Sequence, residues 1–190
     1  MPLLVSLVLT LAGLHGQTGP VSSDTSQWPR YQNEALGVSF AYPTELRPVV
    51  TPAEKLRGIE GWLSQVLLVA NAPSDAEKHT LLAVSVYVCD DPTLNPRVPC
   101  FHEKTYRQIC DRFEKFPLGD ATAIQCVTYG RGACHWSAVV LRAKGRVEIS
   151  APEAERALQP ETNTRAACAD AVVTIRTQPL LRQVLASFRF

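Results

Sequence analysis

Leu82, Val84, Val86 and Val88 alternate with Ala83, Ser85, Tyr87 and Cys89. A period of two places successive side chains on opposite faces, so this run reads as a β-strand with a buried side. The pattern recurs along the chain. From Leu36, residues Val38, Phe40 and Tyr42 share one face and Gly37, Ser39 and Ala41 the other, until Pro43 stops the run. Strand-like runs at Ala121–Thr128 and Ala133–Leu141 flank the turn Tyr129-Gly-Arg-Gly132, and a third, Arg146–Ala151, follows Lys144-Gly145. Three such runs in succession predict an antiparallel meander. The apolar run Trp62–Ala70 fits helix or strand by period, but its length and the closing Asn71-Ala-Pro73 favour strand.

Two segments follow the helical period instead. In Phe101–Phe116 the residues Thr105, Ile109, Phe113 and Phe116 recur at spacings of four, four and three, which predicts an amphipathic helix. A final helix opens at Pro179, a residue suited to the first helical position, and presents Leu180, Leu181, Val184, Leu185 and Phe188 as one stripe. Between these elements lie a proline-punctuated stretch, Pro48–Gly61, with a helical turn at Pro52–Arg57, and the turn-rich Asp90–Pro99. The aperiodic Pro152–Gln178 reads as a long loop with a helical turn or two. The expected order is β-β-β-α-β-β-β-α, an α+β domain in which helices flank an antiparallel sheet.

Residues 1–16 hold none of the 37 charged side chains of this 190-residue chain. Their apolar run from Leu3 to Leu14 ends in small residues and reads as a secretory signal peptide, with exit near Gly16 or, alternatively, after Ala12. It is shorter than the roughly 20 apolar residues of a membrane span, no second run approaches that length, and no cysteine follows it to carry a lipid. The division is therefore a leader over 1–16, a polar lead-in over 17–30 and one domain over 31–190. The expected location is periplasmic or extracellular. A net charge of +1 without a basic stripe argues against nucleic acid as a partner.

Export decides how the six cysteines are read, since an even number in an oxidising compartment suggests disulfides. Cys89 ends a strand and Cys100 begins the helix, so a bridge between them would staple the ten-residue excursion, worth about 3 kcal/mol in unfolded-state entropy. If Gly130 centres the hairpin, Cys126 opposes Cys134 and the two can bridge. A two-residue turn at Gly130-Arg131 instead opposes Cys126 to His135 and breaks that pair. With the first two bridges in place, elimination leaves Cys110 to Cys168.

Other chemistry is weaker. Cys134 and His135 are adjacent in a strand and point apart, so the imidazole cannot activate the thiol. Cys100-Phe-His102-Glu103 lacks the further ligands of a zinc site. His79, His102 and His135 read as surface or hairpin residues. Asp90-Asp91 with Asp111 or Glu114 reads as a turn and a solvated helix face rather than a calcium or acid/base site. Trp28, Trp62 and Trp136 are candidates for core or interface. No catalytic, cofactor-binding or metal-binding residue is assigned, and no cofactor is expected.

The segment Tyr31-Gln-Asn-Glu-Ala-Leu-Gly-Val-Ser-Phe-Ala-Tyr-Pro43 resembles the opening strand of the PsbP-like family, which includes nuclear Ran-binding Mog proteins and many exported bacterial proteins. The closing Val184-Leu-Ala-Ser-Phe-Arg-Phe190 resembles the end of that family's last helix. Many bacterial relatives carry a Trp after the proline, where this chain has Thr44, Glu45 and Leu46. The resemblance implies a sheet between helices and an accessory or protein-binding role without catalytic residues. Set beside it are a small secreted hydrolase or thiol enzyme, which needs a reactive thiol near a histidine, and a small-ligand carrier, which needs a concave pocket.

Overall fold

All the alternating runs except that at Val38 pair into one antiparallel sheet, because each carries an apolar face that only a second layer can cover. The computed structural model describes residues 25–52, 55, 62–70, 80–89, 99–130, 132–157, 164–172 and 174–190. The leader read over 1–16, residues 17–24 of the lead-in, most of the helical turn read over 52–57, and residues 90–98 of the turn-rich stretch lie outside them. In chain order the elements are β1 (Arg30–Asn33), β2 (Val38–Ala41), β3 (Leu46–Pro52), β4 (Trp62–Ala70), β5 (Thr80–Val88), α1 (Glu103–Ile109), β6 (Arg112–Leu118), β7 (Ala121–Gly130), β8 (Ala133–Arg142), β9 (Gly145–Ser150), α2 (Pro152–Ala157), α3 (Arg165–Val172) and α4 (Pro179–Ala186). Seven strands run in the order β3-β4-β5-β9-β8-β7-β6, and β1 with β2 forms a separate two-stranded hairpin.

The class is α+β with an antiparallel sheet flanked by helices, and β7-β8-β9 form the expected meander. The element order differs from expectation at three places, each for a physical reason. Pro48 and Pro52 marked their stretch as irregular, yet they sit in β3, an edge strand, where a missing N–H breaks no ladder. The helix expected over Phe101–Phe116 stops at Ile109. Cys110 turns extended (φ −81°, ψ 130°), and the next N–H, that of Asp111, joins the Val127 carbonyl in the sheet at 2.8 Å. Phe113 then pairs with Cys126 and Phe116 with Ala123, on opposite faces of the second edge strand, β6. Pro117 favours this outcome, since it disfavours helical geometry at Phe116. The stretch Pro152–Gln178 is more helical than its period suggested, because α2, α3 and the 3₁₀ turn Ile175–Thr177 are anchored through buried residues, Ala154 and Glu155 in α2, Cys168 in α3 and Ile175 in the turn.

A further difference is a register. Gly130 pairs with Ala133 and Tyr129 with Cys134, leaving two residues in the turn, of which Gly132 has φ +77°. Cys126 therefore opposes Ser137, neither Cys134 nor His135. Cys126 and Cys134 point to opposite faces of the sheet, so the Cys126–Cys134 bridge expected for a hairpin centred on Gly130 is excluded, and Cys110–Cys168 falls with it. The bridges are Cys89–Cys100, Cys110–Cys126 and Cys134–Cys168, with Cα separations of 4.9, 5.3 and 5.4 Å.

One face of the sheet is the main core. Leu68, Val84, Ile149, Trp136 and Val127 on this face are buried beneath α2, α3, α4 and the β1-β2 hairpin. Here the two family-like segments meet. Phe40 and Phe188, both fully buried, stack with ring centroids 4.8 Å apart. Ser39 and Arg189 exchange both backbone hydrogen bonds, at 3.0 and 2.8 Å. The Ser187 hydroxyl accepts the Ala41 N–H at 2.8 Å and donates to the Val184 carbonyl at 2.7 Å. Arg142 at the end of β8 donates to the carbonyls of Leu36 and Gly37, fixing the hairpin turn to the sheet. Gly119 joins β6 to β7 at φ +59°, and a Cβ there would lie 1.9 Å from the Phe188 carbonyl oxygen.

Phe40→Ala is expected to lower stability by about 3–5 kcal/mol, the usual range for emptying a buried phenylalanine site. Gly119→Ala should also destabilise, through both backbone angle and clash. Urea unfolding checks both, and a change below about 1 kcal/mol for Phe40→Ala would remove the aromatic contact from its central place.

Candidate functional site

The opposite face of the sheet is polar and only partly covered. Its alternation was visible in β9, where Arg146, Glu148 and Ser150 interleave with buried Val147 and Ile149. The pairing order sets these beside His135 and Ser137 of β8 and Cys126 and Thr128 of β7. Over them lies α1. Its seven residues are too few for a stable isolated helix, and a disulfide holds it at each side. Cys89–Cys100 ties its approach to the end of β5, and Cys110–Cys126 ties its exit to β7. Lys115 of β6 adds an ion pair to Glu103 at 2.6 Å.

Between helix and sheet is a cleft of about 410 Å³, with Phe101, Tyr106 and Ile109 on the helix side. Tyr106 is buried against Ile124, Cys126 and Val139, and its hydroxyl has no hydrogen-bond partner among the described residues. Burial pushes that phenol well above its ordinary pKa. Arg146 lies 3.9 Å from the Tyr87 ring centroid and 4.8 Å from that of Phe101, with Glu148 3.4 Å from its Nε. Tyr87 is pushed up to about 12, chiefly by burial and then by the Glu148 charge, with Arg146 opposing. At the far end His135 Nδ1 stands 3.5 Å from the Glu155 carboxylate, which also accepts the Ala151 N–H at 3.3 Å. Burial holds the Glu155 carboxyl above the usual range, the Ala151 N–H and His135 opposing.

The arrangement disposes of the thiol reading. All six cysteines are bridged, and Cys134 bonds Cys168 on the face away from His135. His135 and Glu155 would supply a base and its orienting group, but among the described residues no serine or threonine hydroxyl hydrogen-bonds the imidazole. No group of three or more His, Cys, Asp or Glu among those residues is placed to hold a metal ion. Two of the acidic residues considered from the sequence, Asp111 and Glu114, are structural. Asp111 accepts the Tyr129 N–H at 2.7 Å and pairs with Arg165 at 3.0 Å, and Glu114 pairs with Arg176 at 3.0 Å. His102 is exposed, His79, Asp90 and Asp91 lie outside the described residues, and Trp136 is buried in the core.

None of Tyr87, Tyr106, Arg146, Glu148 or Glu155 was singled out from the sequence. The signal that could have found them is the polar triplet of β9 opposite a strand that carries Tyr87 next to its end, but the pairing of β5 with β9 spans about sixty residues.

Two of the five tyrosines should therefore titrate late. Raised phenol pKa values mean that the folded state resists ionisation, so stability present below pH 10 is lost as pH rises toward 12. Absorbance titration of phenolate, followed with circular dichroism, should show two tyrosines ionising only at about pH 12 or above, together with unfolding; normal titration of all five would contradict the cleft's burial.

No family model and no curated protein matches the chain. Among solved structures it is similar to the solution structure of cyanobacterial PsbP (CyanoP) from Synechocystis sp. PCC 6803, at 14% identity and a TM-score of 0.44, covering 93% of this chain and 99% of that one. Among the described residues no helix is long and apolar enough to cross a membrane.

Proposed function

We propose that this chain is an exported, disulfide-stabilised accessory domain of the cell envelope that binds a partner rather than turning over a substrate. The observation that carries the reading is the use of the cysteines: three bridges consume all six, and two of them hold α1 over the polar face of the sheet. Bridges of this kind persist in oxidising compartments. A helix fastened at both sides keeps the cleft open and formed before any partner arrives, which lowers the ordering cost of binding. The charged groups of the cleft face each other, Arg146 with Glu148 and His135 with Glu155, and among the described residues no serine or threonine hydroxyl is hydrogen-bonded to His135 as an activated nucleophile would be. The binding reading therefore ranks above the thiol enzyme. The small-ligand carrier gains support from the cleft itself, whose volume is at the lower end of the ~300–1,000 Å³ range of small-molecule sites.

Intact mass and thiol counting in denaturant test the reading on protein taken from its native source. The expected result is a chain shortened at Gly16 or Ala12, with no free thiol; a full-length chain with six thiols would overturn it. A photo-crosslinking residue in place of exposed Ile109, at the mouth of the cleft, should capture the partner from the envelope fraction. The same residue in place of exposed Val50, on the far edge strand, should not. Equal capture at both positions, or none at Ile109, counts against the cleft as the working surface.

A further inference from the structure

We infer that the cleft beneath α1 binds an uncharged polyhydroxylated ring, a saccharide unit, with the buried Tyr106 hydroxyl as one of its hydrogen-bonding anchors. The inference deepens the binding-domain reading and rests on it. Three observations narrow the chemistry.

The first is charge. The ionisable groups of the cleft already face one another, Arg146 with Glu148 at 3.4 Å and His135 with Glu155 at 3.5 Å. A carboxylate or ammonium ligand would have to displace one partner and leave it unpaired, whereas a neutral ligand can hydrogen-bond to both members of a pair without parting them.

The second is the set of uncommitted hydroxyls. Tyr106 is 4% exposed and its hydroxyl is unpartnered among the described residues. Leaving such a group unmet inside a protein is costly, and a cavity beside it is a place for the missing partner. The hydroxyls of Ser137, Ser150 and Thr128, on three adjacent strands, line the same cleft and make no hydrogen bond to the described residues. Each can donate or accept, as can each hydroxyl of a sugar. An apolar ligand would bury all four without satisfying them.

The third is the rim. Phe101 is 38% exposed and Ile109 48% exposed, both beside the opening. An aromatic ring and an aliphatic side chain there offer an apolar surface for the C–H face of a pyranose, while its hydroxyls reach the polar floor.

The test uses the full oxidised protein, labelled with ¹⁵N, and NMR titration with glucose, galactose, N-acetylglucosamine and their β-linked disaccharides and tetrasaccharides. Glucuronate and glutamate serve as charged probes. Saturable shifts at Ser137, Ser150 and Arg146, with Kd near or below about 1 mM for at least one neutral sugar, are expected. Equal affinity for mono- and tetrasaccharide would assign the source to a free sugar, and rising affinity with length to a glycan chain. Tyr106→Phe, which removes only the hydroxyl, should weaken that sugar roughly five- to ten-fold without lowering the melting temperature. Phe101→Ala, at the exposed rim, gives a second weakening variant that leaves the core intact. The inference fails if no neutral sugar binds, if glucuronate or glutamate binds in preference, or if Tyr106→Phe leaves affinity unchanged. Failure here with specific cross-linking at Ile109 would reject the saccharide and leave the binding domain standing; failure of both would reject the two together.

Discussion

In the β7-β8 hairpin Gly130 pairs with Ala133, and the rest of the architecture depends on this register. Side chains alternate along each strand, so the pairing sends Cys126 to the polar face and Cys134 to the core face. Each then fastens a different helical segment. Cys126 holds the end of α1 on one side through Cys110, and Cys134 holds α3 on the other through Cys168. A shift of one residue would exchange the faces and leave both bridges unable to form. The hairpin thus acts as a two-sided anchor in the middle of the sheet.

The two faces have different jobs. The core face joins both ends of the described domain, where Phe40 and Phe188 stack and Ser39 pairs with Arg189. Segments separated by well over a hundred residues depend there on one aromatic cluster, which explains why the recognisable parts of the sequence are its two ends. The polar face holds the cleft, and hydrophobic burial contributes less there. Its roof is a short helix whose position depends on Cys89–Cys100 and Cys110–Cys126. Reduction of those bridges should loosen α1 well before it disturbs the aromatic cluster.

Much of the fold was legible because alternation is a local signal. The strands at Val38, Trp62, Thr80, Ala121, Ala133 and Gly145 all announce themselves within ten residues. What failed was information held elsewhere. Phe113 and Phe116 matched a helical stripe by spacing, but their segment is claimed by pairing with β7, and Pro48 and Pro52 concealed β3 because edge position is a property of the whole sheet. The two cysteine pairs that depended on the hairpin, Cys126–Cys134 and Cys110–Cys168, failed on one turn residue. The cleft was the least legible part. Tyr87 and Arg146 are directly paired and stacked, yet neither carries a motif, and their meeting follows only from the placement of β9 beside β5.

The central claim is that the hairpin register directs the two middle cysteines to opposite faces. Mass spectrometry of peptides from the unreduced native protein tests it most directly. The expected linkages are Cys110–Cys126 and Cys134–Cys168 alongside Cys89–Cys100. A peptide joining Cys126 to Cys134 would contradict the register, and with it the anchoring of α1 over the cleft.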